Sequence, residues 1–366
     1  MFNREEAIEK ETLIRTFLSR KGLDGVILTL QSNFAWATGG ARNYVTPNTT
    51  EGAFSLVITP KESCFLSDNI EMPRIADEEI GELFSGKVYG WWETSRKQDV
   101  LRKIVQGKKI ISDTPIAGTA PLTPEFLHLQ EIMSGLEIVR YRALGRDAGE
   151  AMMKLCKGIK PGMTENEMAG QASYLLLKRD ILPFLILVGA DERIDRYRHP
   201  IPTDRALRKR VMIVFCARRG GLIASLTRFV NFGTLDKALF RRHEAVCQVD
   251  TSFIHNTKPG VLFKDIFDSA RHVYDAVGYP DEWKKHHQGG NTGYRARYTI
   301  AGPEVDCAVE KHMAFAWNPS ITGVKSEDTI LCRGNGVEVL TQIKDWPTLP
   351  VEIGKTVYQR PDILVR

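Results

Sequence analysis

The tripeptide Lys-Pro-Gly occurs twice in this chain of 366 residues, at 160–162 and again at 258–260, 98 positions apart. Each copy ends a helical pattern and precedes a second one. Upstream of the first, Leu144, Ala148, Met152 and Leu155 recur at helical spacing over 142–158; upstream of the second, a helical pattern runs from Leu235 to His255. Downstream of the first, Thr164 and Glu167 make a capping box, each satisfying a backbone donor that the helix start leaves orphaned. Downstream of the second, Ile266, Phe267, Ala270, Val273, Tyr274 and Val277 form an apolar face that Gly278 stops. An apolar strand pair closes each copy, "VMIVFC…GLIASLTRFVNFG" and "MAFAWNPSI…SEDTILC". Helix, turn, helix and hairpin, repeated, allow few arrangements. Two like units around a pseudo-twofold axis set their hairpins face to face, and a cleft lined from both halves is the natural place for a site.

The preceding residues follow another rule. Ile8, Leu13, Ile14, Phe17 and Leu18 space a helix over 5–21, which Gly22 stops. "GVILTL" (25–30), "AFSLVIT" (53–59), "SCFLS" (63–67) and "KKIIS" (108–112) read as strands. Residues 31–52, rich in Gly, Asn, Thr and aromatics, read as a long loop, either functional or disordered. The alternation predicts an α/β domain over 1–135, followed by a second domain over 136–366.

Composition excludes several classes. With 43% apolar and 26% charged residues and a net charge of +5, nothing suggests disorder or a nucleic-acid stripe, and no apolar run is long enough to span a bilayer. The charged start, "MFNREEAIEKETLIRTFL", does not read as a secretory signal, so the expected location is cytoplasmic. Six cysteines without a Cys-x-x-Cys pair read as reduced, mostly buried thiols. Neither nucleic acid nor a membrane is therefore an expected partner.

"SNFAWATGG" and "LSDNIEMPRI" in the first domain, then "RHPIPTDRALR", "GGLIASLTR", "HHQGG" and "NPSI…SEDT" in the second, carry a definite resemblance. The chain resembles the pita-bread family of methionine aminopeptidase, aminopeptidase P, prolidase and creatinase, in its creatinase-like branch. The resemblance implies an α+β architecture: a pita-bread domain with an internal pseudo-twofold repeat, preceded by a creatinase-type α/β domain. The family's metallopeptidases hold two metal ions with two Asp, one His and two Glu, because adjacent divalent ions need several carboxylates to neutralise and bridge them. Those positions fall here at Val214, Ser225, His287, Asn318 and Glu327. Three of the five ligands, and three of the four carboxylates, are replaced. The expectation is therefore no metal and no cofactor.

The family also contains creatinase, which hydrolyses a carbon–nitrogen bond without metal by using a histidine as acid and base. By that resemblance the expected catalytic residues are His199, His287 and Glu327. Asn318, Arg297, Arg228 and Ser225 are expected to bind substrate. Arg42 and Asn43, on a loop that in this branch reaches the other subunit of a homodimer, join them. The expected function is metal-independent hydrolysis of a small amide, amidine or ureido compound. The alternatives are a divergent Xaa-Pro aminopeptidase using a single metal, and a non-catalytic binding protein. Blander readings stand beside these. His286 is expected to be a bystander, His243 a packing residue, Cys216 and Cys332 core residues, and Arg228 either a site residue or a buried structural arginine. "GGNTG" lacks the strand-to-helix context of a phosphate loop.

Overall fold

Asn3 accepts the Glu6 amide on its side chain (3.0 Å) and so opens the helix Arg4–Lys21, which ends on the left-handed Gly22. This helix belongs to the first of two units in the computed structural model, which describes residues 2–93 and 95–366. The first unit comprises Met1–Gln130 with Gly220–Leu222, and the second comprises Glu131–Arg219 with Ile223–Arg366.

In the first unit a six-stranded mixed sheet is built from Gly25–Leu30 (β1), Glu51–Ile58 (β2), Ser63–Asp68 (β3), Ser85–Tyr89 (β4), Ile110–Ser112 (β5) and Thr119–Pro121 (β6), in the order β4-β3-β2-β1-β5-β6. The stretch expected to be an open loop differs at its start, where Gln31–Ala37 is helical. Seven residues are too few to hold a helix by propensity. Packing stabilises it instead: Phe34 meets Phe54 edge-on at 5.1 Å, and Trp36 meets Phe126 at 5.8 Å. Asp113 also accepts the Thr29 and Leu30 amides and the Asn33 side chain, fixing the strand-to-helix corner.

The second unit carries the repeat. Gly135–Gly158 and Glu165–Leu177 are the first helix pair, and Lys237–Asn256 and Phe263–Ala276 the second. Both Lys-Pro-Gly turns are built alike. Gly162 and Gly260 take φ of +91° and +87°, a region only glycine enters freely, and donate to the Leu207 and Val309 carbonyls. The capping box is present, with Glu167 Oε2 accepting the Thr164 amide at 2.7 Å.

The first half supplies Leu182–Ala190 (β7), Arg210–Arg219 (β8) and Leu222–Asn231 (β9). The second supplies Gly289–Thr292 (β10), Ala314–Trp317 (β11), Ser320–Ile321 (β12), Val324–Lys325 (β13), Asp328–Arg333 (β14) and Gly336–Val339 (β15). Thr348–Ile353 (β16) and Thr356–Pro361 (β17) form a separate hairpin, and Leu364–Val365 (β18) joins the first sheet to give the order β18-β9-β8-β7. The second sheet runs β10-β11-β14-β15. The hairpins meet where Thr227 donates its amide to the Glu327 carbonyl (3.1 Å) and Ser225 donates its amide to Thr329 Oγ1 (2.7 Å).

Beneath the second sheet Trp317 stacks on Phe253 (4.7 Å) and donates its indole N–H to Thr257. Burial of an aromatic side chain of this kind contributes about 1.5–3 kcal/mol. The long helix Gly135–Gly158 lies so close that a Cβ on Gly145 would sit 2.1 Å from the Leu340 carbonyl oxygen. Gly145→Ala is therefore expected to destabilise the protein by about 1–3 kcal/mol in urea unfolding, despite alanine's better helix propensity. A more stable variant would refute this packing. Among the described residues no helix is long and apolar enough to cross a membrane.

Candidate active site

Three histidines converge in the second unit. His199 lies on the stretch leading into β8, while His286 and His287 follow a short turn at Glu282–Lys285 and lead into β10. His199 Nε2 and His286 Nε2 are 3.0 Å apart, and the His286 and His287 rings stack with centroids at 4.4 Å. One ring nitrogen from each of the three lies within 4.8 Å of the others. One carboxylate ties together the segments that carry these groups. Glu282 accepts from Arg198 Nη2 (2.5 Å), Lys285 Nζ (2.8 Å) and the Thr322 amide (2.9 Å).

The opposite wall is made by the hairpins. On β8 and β9 alternate residues share a face, which sets Val214 and Cys216 beside Ser225 and Thr227. Glu327 is buried against this wall. Thr227 Oγ1 donates to its Oε2 at 2.6 Å, Lys325 Nζ lies 2.9 Å from the same oxygen, and Arg297 Nη2 lies 3.5 Å from Oε1. Burial by itself would raise the Glu327 pKa, but Lys325 and Arg297 hold it down to about 2. The two cations act oppositely on the imidazoles. Burial and Lys325 push His286 down to about 2, burial and Arg297 push His287 down to about 4, and burial and Lys325 lower His199. All three rings are neutral bases at neutral pH.

The site unites His199, His287, Glu327 and Arg297. Other expectations need revision. His286 is no bystander: it is 9% exposed and bonded to His199. The extended backbone at His286 followed by the left-handed Gly289 (φ +97°) lets two adjacent rings face one cluster. Of the two readings of Arg228 the buried structural arginine fits: it is 2% exposed and its guanidinium is engaged by Asp328 and by the Thr227 and Thr341 carbonyls. It belongs to a buried network in which Arg360 bridges Asp328 and Asp250. Ser225 is fully buried and donates to Cys216 Sγ at 3.4 Å, and Cys216 is itself buried, as expected of a core residue.

Asn43 is buried within the first unit, where its amide donates to the Thr29 and Phe54 carbonyls, leaving no donor for a ligand. Arg42 pairs there with Glu79 at 2.7 Å. Asn318 is 3% exposed with its Oδ1 unpartnered. His243 is buried and bonds the Pro361 carbonyl, as a packing residue does. Lys325 is the site residue that sequence reasoning missed. Its signal was a lysine two positions before Glu327, which along an extended strand puts both side chains on one face.

The family's dinuclear metal centre does not fit these residues. Val214 lies in the apolar core, Ser225 is spent on Cys216, and Glu327, the remaining carboxylate, is already neutralised by two side-chain cations. Two divalent ions would meet one matched anion and two positive charges.

The profile of metallopeptidase family M24 matches residues 140–334, more than half of the chain, and that of the creatinase/prolidase N-terminal domain matches residues 12–144. The chain belongs to metallopeptidase family M24, a family of hydrolases. An uncharacterized peptidase of Staphylococcus epidermidis is 25% identical, covering 90% of this chain and 97% of its own. Among solved structures, the Xaa-Pro dipeptidase from Bacillus anthracis superposes with a TM-score of 0.78 at 19% identity, covering 98% of this chain and 100% of that one. The X-Pro aminopeptidase from Thermotoga maritima superposes with a TM-score of 0.79 at 17% identity, covering 98% and 99%. These likenesses establish the pita-bread fold and its creatinase-type N-terminal domain.

Proposed function

We propose that the protein hydrolyses a carbon–nitrogen bond in a small nitrogenous compound by histidine acid–base chemistry, without a metal ion. The observation that carries this reading is the pairing of buried Glu327 with Lys325 and Arg297, two side-chain cations that already neutralise it. In the arrangement where His199 donates its Nε2–H to His286 Nε2, His199 Nδ1 is a free base. It takes a proton from water as the water attacks the carbon, and returns it to the leaving nitrogen. His286 accepts throughout and orients the ring. His287 has its Nδ1 occupied by the Gly289 amide at 3.2 Å, so its Nε2–H is a donor suited to the oxygen that gains charge during attack. A peptide bond to proline is one candidate substrate, suggested by the names of the neighbouring structures.

A second reading rests on the three imidazole nitrogens within 4.8 Å, a donor set that suits one zinc-like ion in a divergent aminopeptidase. Elemental mass spectrometry of the purified, untagged protein, before and after incubation with manganese or zinc, separates the two. The first reading expects near-zero occupancy and hydrolysis of small amides, amidines or ureido compounds unaffected by EDTA. Stoichiometric metal, with cleavage of a proline dipeptide that rises on adding manganese, cobalt or zinc, would replace it with the second.

A further inference from the structure

The C-terminal hairpin borders a cavity of about 180 Å³ that none of the three clustered histidines lines. Ten of its thirteen lining residues lie between Val339 and Pro361, beyond residue 334, where the match to the family profile ends. An engineered apolar cavity of roughly 150 Å³ is enough to hold benzene. The floor is buried and polar. Arg360, 1% exposed, gives Nε and Nη2 to Asp250 and Asp328, while its Nη1 has no partner among the described residues. Arg228 lines the cavity too, and its Nε is buried without a partner. Buried donors left open in this way mark where a ligand or water completes the network. The charges of this floor balance, two guanidinium groups against the Asp250 and Asp328 carboxylates. The walls are apolar: Trp346, Ile343 and Ile254 are buried, and the Trp346 indole N–H is already given to the Asp362 carbonyl (2.9 Å). Gln342, Val357 and Gln359 are exposed and form the mouth.

We propose that this cavity binds a small, neutral aromatic molecule bearing a carbonyl group, whose oxygen accepts from Arg360 and whose ring lies against Trp346 and Ile343. An anion would bring a charge that the balanced floor does not compensate, and a hydrocarbon would leave the open donors unpaired. The cavity backs onto the wall that carries Glu327. Arg228 Nη1 donates to the Thr227 and Glu327 carbonyls, and Asp328, on the cavity floor, follows Glu327 directly. Binding here needs no turnover and stands apart from the hydrolase reading.

The test titrates the full-length protein with acetophenone, ethylbenzene and benzoate by ligand-observed NMR, three probes of similar size that differ in acceptor and charge. Val357→Trp and Gln359→Trp, at exposed positions of the hairpin, close the mouth, so the binding they remove is the binding that belongs to this cavity. Both are checked for folding by circular dichroism. Acetophenone is expected to bind at millimolar concentration or below, and the closing variants to weaken it at least tenfold. Ethylbenzene and benzoate are expected to bind in the cavity at least threefold more weakly than acetophenone, ethylbenzene in spite of its poorer hydration. His287→Ala, on the far side of the wall, should leave acetophenone binding unchanged. No acetophenone binding at millimolar concentration, binding retained in both folded closing variants, or binding lost in His287→Ala would overturn the proposal. Cavity binding of ethylbenzene or benzoate as tight as that of acetophenone would overturn it too, and that comparison is made in the unmodified protein.

Discussion

His199→Ala is expected to lower kcat/KM by about 10²–10⁴-fold on a substrate found by screening, the usual contribution of a positioned acid–base group. The fold should be untouched, because His199 is exposed. The main interaction removed is its hydrogen bond to His286. The pH profile carries the more specific signature. Burial and Lys325 lower the His199 pKa, so the neutral base persists below the ordinary histidine value of 6.5, and activity falls only as pH drops through the lowered value. Removing the ammonium by Lys325→Met takes away a charge that opposes protonation, so the acid limb should move up in pH. An unchanged rate in His199→Ala would remove the assignment, and an acid limb that stays in place in Lys325→Met would remove the electrostatic account of it.

The same Lys325→Met variant is expected to lose about 3–5 kcal/mol of stability, because breaking a buried ion pair leaves the remaining charge uncompensated. Arg297, at 3.5 Å from Glu327, still supplies part of the compensation and favours the lower end of that range. Changing both partners, Lys325→Met with Glu327→Gln, should cost less than the two single changes added together, since the pair is coupled. Acid narrows the gap between variant and parent. The Glu327 pKa is depressed in the folded protein, so its ion-pair stabilisation is complete above the ordinary glutamate value of 4.5 and fades as pH falls toward about 2. Urea unfolding at neutral and acid pH measures all three quantities. A Lys325→Met protein as stable as its parent would show that Glu327 does not depend on the ammonium.

Much of the framework was legible because it is written in local chemistry. The paired Lys-Pro-Gly turns, the Thr164–Glu167 box and the glycines that end helices specify their conformations from a few neighbouring residues, and the same turn appears in both halves with Gly162 and Gly260 in matching geometry. The helix Gln31–Ala37 was illegible for the complementary reason. Nothing within it favours a helix strongly, and it exists because Phe34 and Trp36 are packed by residues far along the chain.

At the site the division is similar. That Val214, Ser225 and Asn318 carry no carboxylate is a property of the sequence alone, because no fold can make a valine carry charge. What surrounds the one buried glutamate of this wall could be decided only in three dimensions. Glu327 gathers Lys325 from its own hairpin, Arg297 from the loop after β10 and Thr227 from the other half of the repeat, while His286 turns from bystander to partner of a histidine 87 positions away. Coulomb interactions and hydrogen bonds act over a few ångströms of space regardless of separation along the chain. The sequence therefore determined which charges this protein possesses, and the tertiary structure determined which of them meet.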